Sequence, residues 1–173
     1  MTLFRPLAAL LLFALAGCAT AAPEPAAPSW YVVRHLQKSD GQDPGLSAEG
    51  ARNAGRLASR FDDDQPAAIY VSTTKRARET AAPLAARLWL TMKEYDPRDT
   101  PGLIARVRAE AGTVLIVGHS NTVPAVAERL TGKRVELGEA DYDRLLVATV
   151  RGDGTGELVV LHYGQATKPS PAR

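Results

Sequence analysis

The sequence predicts an α/β domain with a mainly parallel central sheet and helices on both of its faces. Apolar, β-rich runs alternate with helical patterns along the chain, and the connections between them are short. One run, Thr113-Val-Leu-Ile-Val117, is mostly β-branched and carries no charge, as a strand covered on both faces requires. A length of 173 residues suits one ordinary domain.

In chain order, Trp30-Tyr-Val-Val-Arg34 is a short apolar run ending in a charge and reads as a buried strand. Ser47 caps a helix whose apolar positions Ala51, Ala54, Leu57, Ala58 and Phe61 recur at helical spacing, and the Asp62-Asp63-Asp64-Gln65-Pro66 loop ends it. Ala67 to Ser72 is a second strand. Thr74 to Leu90 is a second helix, in which Pro83 calls for a bend or a local break. A weak strand over Thr91 to Glu94 and a helix over Pro101 to Glu110 precede the central strand, and a helix over Val123 to Leu130 follows it. Leu145 to Val150 and Glu157 to Tyr163 form two strands. The Gly152-Asp-Gly-Thr-Gly156 link between them precedes a strand rather than a helix, which makes it a hairpin turn and not a phosphate loop.

Composition removes several function classes. With 45% hydrophobic and 23% charged residues the chain is neither disordered nor wholly membrane-embedded, and a net charge of +2 gives no footprint for nucleic acid. One cysteine excludes an internal disulfide framework and any cysteine-based zinc site, and three histidines leave little for a metal cluster. We therefore expect no metal and no cofactor. The Asp62 to Asp64 run reads as a solvated loop, and His162, inside the last strand, as structural.

The amino terminus has its own pattern. Arg5 precedes the uncharged run Pro6 to Ala16, which is shorter than the roughly 20 apolar residues a membrane-spanning helix needs and has the form of a secretory signal. It ends in Leu15-Ala16-Gly17-Cys18, which resembles the lipobox of bacterial lipoproteins, whose cysteine becomes the lipid-modified first residue. That resemblance implies a signal peptide over residues 1–17, a lipidated Cys18 and a Pro/Ala-rich tether over 18–29, ahead of the domain at 30–165 and a polar tail at 166–173. The competing reading is a chance cysteine and cleavage after Ala22. In a diderm bacterium Ala19 resembles the signal for outer-membrane delivery, so the expected location is the cell envelope, anchored by lipid and facing the periplasm.

Ligands of such sheets bind at the carboxyl ends of the strands. Those ends supply Arg34-His35, Ser72 with Arg76 four residues on, and Gly118-His119-Ser120. Arginine offers a planar fork of donors to phosphate, and histidine is a nucleophile half-neutral near physiological pH, so the set describes phosphoryl transfer without a metal. Arg34-His35, Ser72-Thr-Thr-Lys-Arg76-Ala-Arg-Glu-Thr80 and Gly118-His119-Ser120-Asn121-Thr122 together resemble the histidine phosphatase superfamily, also called phosphoglycerate-mutase-like, from about Trp30 to Gly164. The resemblance implies that His35 is the phosphorylated nucleophile and that Arg34, Arg76 and His119 hold the phosphate. It also implies an acid after the second helix that protonates the leaving group, for which Glu94 fits best and Asp96 second.

Other positions stay open at this level. Ser72 either touches phosphate or caps the next helix; Leu36, where many members have Gly or Ala, either narrows the pocket or packs under the first loop; Arg78 reads as a solvated partner on its helix and Lys38 as a loop lysine near the mouth. Only about twenty residues separate Leu90 from Thr113, so no insertion covers the site. An open site fits a phosphatase acting on phosphorylated small molecules or on phosphohistidine in a protein, rather than a mutase that must keep its intermediate covered. The alternatives are a non-catalytic envelope lipoprotein binding phosphorylated ligands, and a serine hydrolase using Ser120, where Thr122 replaces the second glycine of a Gly-x-Ser-x-Gly elbow.

Overall fold

The computed structural model describes residues 28–163. The leader at 1–17, Cys18, most of the tether and the tail at 166–173 lie outside the described residues. The described part contains strands β1 (Ser29–Arg34), β2 (Ala68–Ser72), β3 (Met92–Tyr95), β4 (Val114–Gly118), β5 (Arg144–Val150) and β6 (Gly156–His162). Its helices are α1 (Ala48–Ser59), α2 (Lys75–Leu88), α3 (Thr100–Arg108) and α4 (Val123–Thr131). The strands form one sheet in the order β3-β2-β4-β1-β5-β6. β3, β2, β4 and β1 run parallel, and β5 and β6 add an antiparallel hairpin at β1's free edge.

The two-residue period of a strand decides which helix each side chain meets. Val32, Tyr70, Val114, Ile116 and Leu146 point to one face and pack with Leu103, Val107, Val126 and Leu130 of α3 and α4. Val33, Ile69, Val71, Leu115 and Val117 point to the other and pack with Leu57, Ala81 and Leu84 of α1 and α2. Val32, Val33, Leu115, Ile116 and Val117 are all fully buried. Burial of a side chain of this size stabilises by roughly 1.5–3 kcal/mol, so β1 and β4 hold the sheet and also the two strand ends that carry the site.

Helix termini follow the residues that flank them. The Ser47 hydroxyl accepts from the amide of Gly50 and starts α1. Gly50 is required there because a Cβ would sit 2.1 Å from the carbonyl oxygen of Gln37. Asp99 caps α3 through the amide of Gly102. α2 has no side-chain cap from Thr74; the carboxylate of Asp43, in the loop after β1, accepts from the Lys75 amide instead. A local break at Pro83 does not occur, and α2 continues from Lys75 to Leu88 through it. Its buried Ala77, Ala81, Leu84 and Ala85 hold that helix against the sheet, so tertiary packing outweighs the missing amide. The hairpin reading of 152–156 holds: Gly154, at φ +83°, donates to the carbonyl of Arg151 between β5 and β6.

Candidate active site

The register of β1 against β4 builds the site. Arg34 pairs with Gly118, and the His35 amide donates to the Gly118 carbonyl at 2.8 Å, which sets the residues following the two strands side by side. The rings of His35 and His119 lie edge to face, 5.2 Å between centroids. Gly118 leaves room for the Thr122 and Tyr95 hydroxyls, since a Cβ there would come within 2.9 Å of both. Thr122 accepts from the His119 amide and so holds the turn into α4.

His35 is buried and its Nδ1 lies 2.9 Å from the Leu36 carbonyl oxygen. A carbonyl only accepts, so Nδ1 carries the hydrogen and Nε2 keeps the lone pair. Burial above all lowers its pKa from 6.5 to about 4; the Leu36 hydrogen bond opposes this, and the charge of Arg76, the His119 ring and Arg34 add to the lowering. The ring is therefore a neutral nucleophile at physiological pH. His119 is lowered to about 4 by burial and by Arg76 and Arg34. Its Nδ1 faces Arg76 Nη2 at 3.4 Å and its Nε2 faces the Ser72 hydroxyl at 2.8 Å. Arg76 can only donate, which assigns the His119 hydrogen to Nε2 and makes Ser72 its acceptor.

The two arginines differ in their company. Among the described residues, Arg76 meets Asp43, 3.6 Å away, and His119 at its terminal nitrogens. Arg34 gives Nη1 to the carbonyls of Gly138 and Glu139, and Nη2 to the Glu139 carboxylate at 2.9 Å and to the Tyr142 hydroxyl at 3.3 Å. Its guanidinium also stacks on the Tyr142 ring, 4.2 Å from the centroid. Among the described residues, the buried side-chain nitrogen and oxygen atoms that lack a protein partner are the Nε atoms of these same two arginines. Buried donors are rarely left unpaired, and here both belong to residues lining one cavity of about 450 Å³.

That cavity brings together Arg34, His35, Arg76 and His119, as the sequence predicts, with Lys38 at its edge. It does not include Glu94 or Asp96. Glu94 is on β3 and its carboxylate binds Arg78 at 3.0 Å, while Asp96 is chelated by Arg98, so neither expected acid reaches the cavity. β3 is an edge strand, and Glu94 pairs with Val71 before the strand ends, which leaves its side chain beside α2. Ser72 neither caps α2 nor lines the cavity; it fixes His119 from below. Leu36 packs fully buried in the α1/α2 core while its amide donates to Thr80, whose hydroxyl in turn donates to the Arg76 carbonyl. Thr80 thus ties the His35 loop to the helix carrying Arg76. The Ser120 hydroxyl donates to Glu139, and both nitrogens of His119 are engaged elsewhere, so Ser120 has none of the imidazole pairing a serine nucleophile needs. His162 bonds Asp143 near the surface, as a structural residue does.

Sequence reasoning missed Glu139 and Tyr142. Both lie in the segment between α4 and β5, which has no regular structure and no hydrophobic period. Their contacts with Arg34 span more than a hundred residues, and the available signal was only that β5 returns beside β1. Among the described residues no group of three or more His, Cys, Asp or Glu could hold a metal ion, and no helix is long and apolar enough to cross a membrane.

A parallel sheet whose central strand ends set two neutral imidazoles against two arginines defines an α/β enzyme of phosphoryl chemistry. The model of the histidine phosphatase superfamily (branch 1) matches residues 30–98, which include Arg34, His35 and Arg76. Over that segment the chain is similar to the superfamily. No curated protein matches the sequence. Among solved structures, a protein from Nakamurella multipartitia assigned to the phosphohistidine phosphatase SixA is 22% identical, with 80% of this chain and 98% of that one covered at a TM-score of 0.62. A protein histidine phosphatase SixA in complex with tungstate is 15% identical, over 79% of this chain and 97% of the other, at 0.61. A mycobacterial glucosyl-3-phosphoglycerate phosphatase is 18% identical, over 79% and 99%, at 0.65. At these identities the likeness is one of fold.

Proposed function

We propose that the chain hydrolyses phosphomonoesters, or phosphohistidine in a protein, without a metal and through a phosphohistidine formed on Nε2 of His35. The observation that carries this reading is the fixed tautomer: Nδ1 is held by the Leu36 carbonyl, and Nε2 is left neutral and nucleophilic in a cavity shared with two arginines and His119. In-line attack by Nε2 forms the N–P bond as the substrate's leaving group departs. Arg34 and Arg76 meet the charge on the transferring oxygens, and each preorganised donor of this kind is worth roughly 3–4 kcal/mol at comparable oxyanion sites; His119, whose Nε2–H goes to Ser72 and whose Nδ1 accepts from Arg76, positions Arg76 beside them. Water then releases inorganic phosphate and returns His35 to its starting state.

The open cavity and the short link before β4 support a phosphatase rather than a mutase. Both substrate classes have precedent among the structural neighbours, one named a protein histidine phosphatase and another a sugar-phosphoglycerate phosphatase. We place the enzyme on the envelope through lipid on Cys18, supported by the Leu15-Ala-Gly-Cys18 pattern and the short apolar leader. Activity is tested with residues 24–173 and p-nitrophenyl phosphate in EDTA across pH 4 to 8. Release that survives EDTA and disappears in His35→Ala supports the reading. Release unchanged by His35→Ala, or absent until a metal is added, overturns it. The anchor is tested in the full chain by whether Cys18→Ala moves the protein from membranes to the soluble fraction.

A further inference from the structure

Water that hydrolyses a phosphohistidine loses a proton as it attacks phosphorus, and few groups here can take it. His35 is the leaving group of that step. His119 has both nitrogens committed to Ser72 and Arg76, and Glu94 is bound to Arg78 outside the cavity. Among the described residues lining the cavity, one side chain is a carboxylate, that of Glu139. Its Oε1 accepts from Ser120 at 3.0 Å and its Oε2 from Arg34 Nη2 at 2.9 Å.

The guanidinium fixes where that carboxylate sits relative to a bound phosphoryl group. Nε–H and Nη2–H of an arginine project from the same edge of its planar fork. On Arg34, Nη2 holds Glu139 and Nε has no partner in the protein. A phosphoryl oxygen taken by Nε is therefore held by the same guanidinium that holds the Glu139 carboxylate, and Arg34 directly precedes His35.

We propose that Glu139 is the proton acceptor for the water that hydrolyses the phosphohistidine, a role that rests on the phosphohistidine reading above. The water oxygen forms a bond to phosphorus, the P–Nε2 bond breaks with its electron pair returning to His35, and the water proton passes to the Glu139 carboxylate. Inorganic phosphate and a neutral imidazole result, and the proton leaves to solvent. The Ser120 hydroxyl first, and the Arg34 charge next, hold the Glu139 carboxyl below the usual carboxylate range, so it enters the step ionised.

The experiment is rapid mixing of Glu139→Gln with p-nitrophenyl phosphate. The amide keeps the size of the side chain and an oxygen for Arg34, and Glu139 is an exposed loop residue whose exchange leaves the core intact. The expected result is a retained burst of nitrophenolate followed by a steady rate about 100-fold or more below the unaltered enzyme, with an acid-labile, alkali-stable phosphoenzyme accumulating. Glu139→Asp is expected to fall between the two. A burst lost together with the steady rate would mean that Glu139 only holds Arg34 in place, and a steady rate unchanged or faster that it only occupies Arg34; either overturns the proposal. Failure of the phosphohistidine reading itself looks different, with no phosphoenzyme in the unaltered protein and turnover persisting in His35→Ala.

Discussion

The parallel half of the sheet and the segment leading into its antiparallel hairpin both deliver groups to one cavity, by opposite physical means. In the parallel half, His35, His119 and the Ser72–Arg76 pair are presented by buried strands, and each ring is fixed by a backbone or hydroxyl partner within 3 Å. The segment between α4 and β5 supplies Glu139 and Tyr142 from irregular backbone, with Glu139 fully in solvent contact on its open side. Chemistry that needs a fixed tautomer thus sits where strand pairing supplies rigidity. A group that must meet and release protons sits where the chain meets water.

The largest effect separating the two regions is expected at the nucleophile. His35→Ala removes the proposed nucleophile, and turnover should fall to the uncatalysed background in a steady-state assay. Next comes Arg76→Ala, expected to lower kcat about 10²–10³-fold, as loss of one charge-stabilising donor does elsewhere. A smaller loss would shift the phosphate-holding role toward Arg34 and the irregular segment. Ser72→Ala should cost about one hydrogen bond's worth, roughly 5–10-fold in kcat, by freeing His119 to rotate, with KM little changed.

The pH profile sharpens the contrast further. His35 and His119 are held at about 4, against 6.5 when unfolded. The acid limb of kcat/KM, which reports the free enzyme, should therefore lie well below pH 6.5. Stability follows the same groups with a definite sign. Between pH 6.5 and about 4 the unfolded chain binds protons that the folded rings refuse, so the folded state loses stability as the pH falls through that window. Chemical denaturation at pH 7 and pH 5 checks it. The smallest effect is expected at Glu94→Gln, within about 2-fold in kcat, because an exposed pair with Arg78 contributes little. A 100-fold loss there would return the acid role to β3.

How much of this was legible in the sequence depends on the kind of contact. Val114 to Val117 and Trp30 to Val33 declare themselves because a strand covered on both faces has to be apolar at every position, and their ends then mark the site. Arg34, His35, Arg76 and His119 follow from that logic together with the family resemblance. Glu94 was misplaced because a position after the second helix specifies a strand but not which of its faces a residue occupies, and Glu94 falls on the α2 side beside Arg78. Ser72's partner was hidden because its hydroxyl bonds His119 across neighbouring strands, which no local pattern records. Glu139 was hidden most deeply, since a residue in an irregular segment gains its meaning only once β5 is paired with β1.

The direct test of the nucleophile is to locate the phosphorus. The phosphoenzyme is trapped by rapid quench, kept alkaline, and examined by phosphorus NMR and peptide mass spectrometry. Because the Leu36 carbonyl holds Nδ1, the phosphoryl group should be found on Nε2 of His35. Phosphorus on Nδ1, on His119 or on Ser120 would contradict the assignment of His35 Nε2 as the nucleophile.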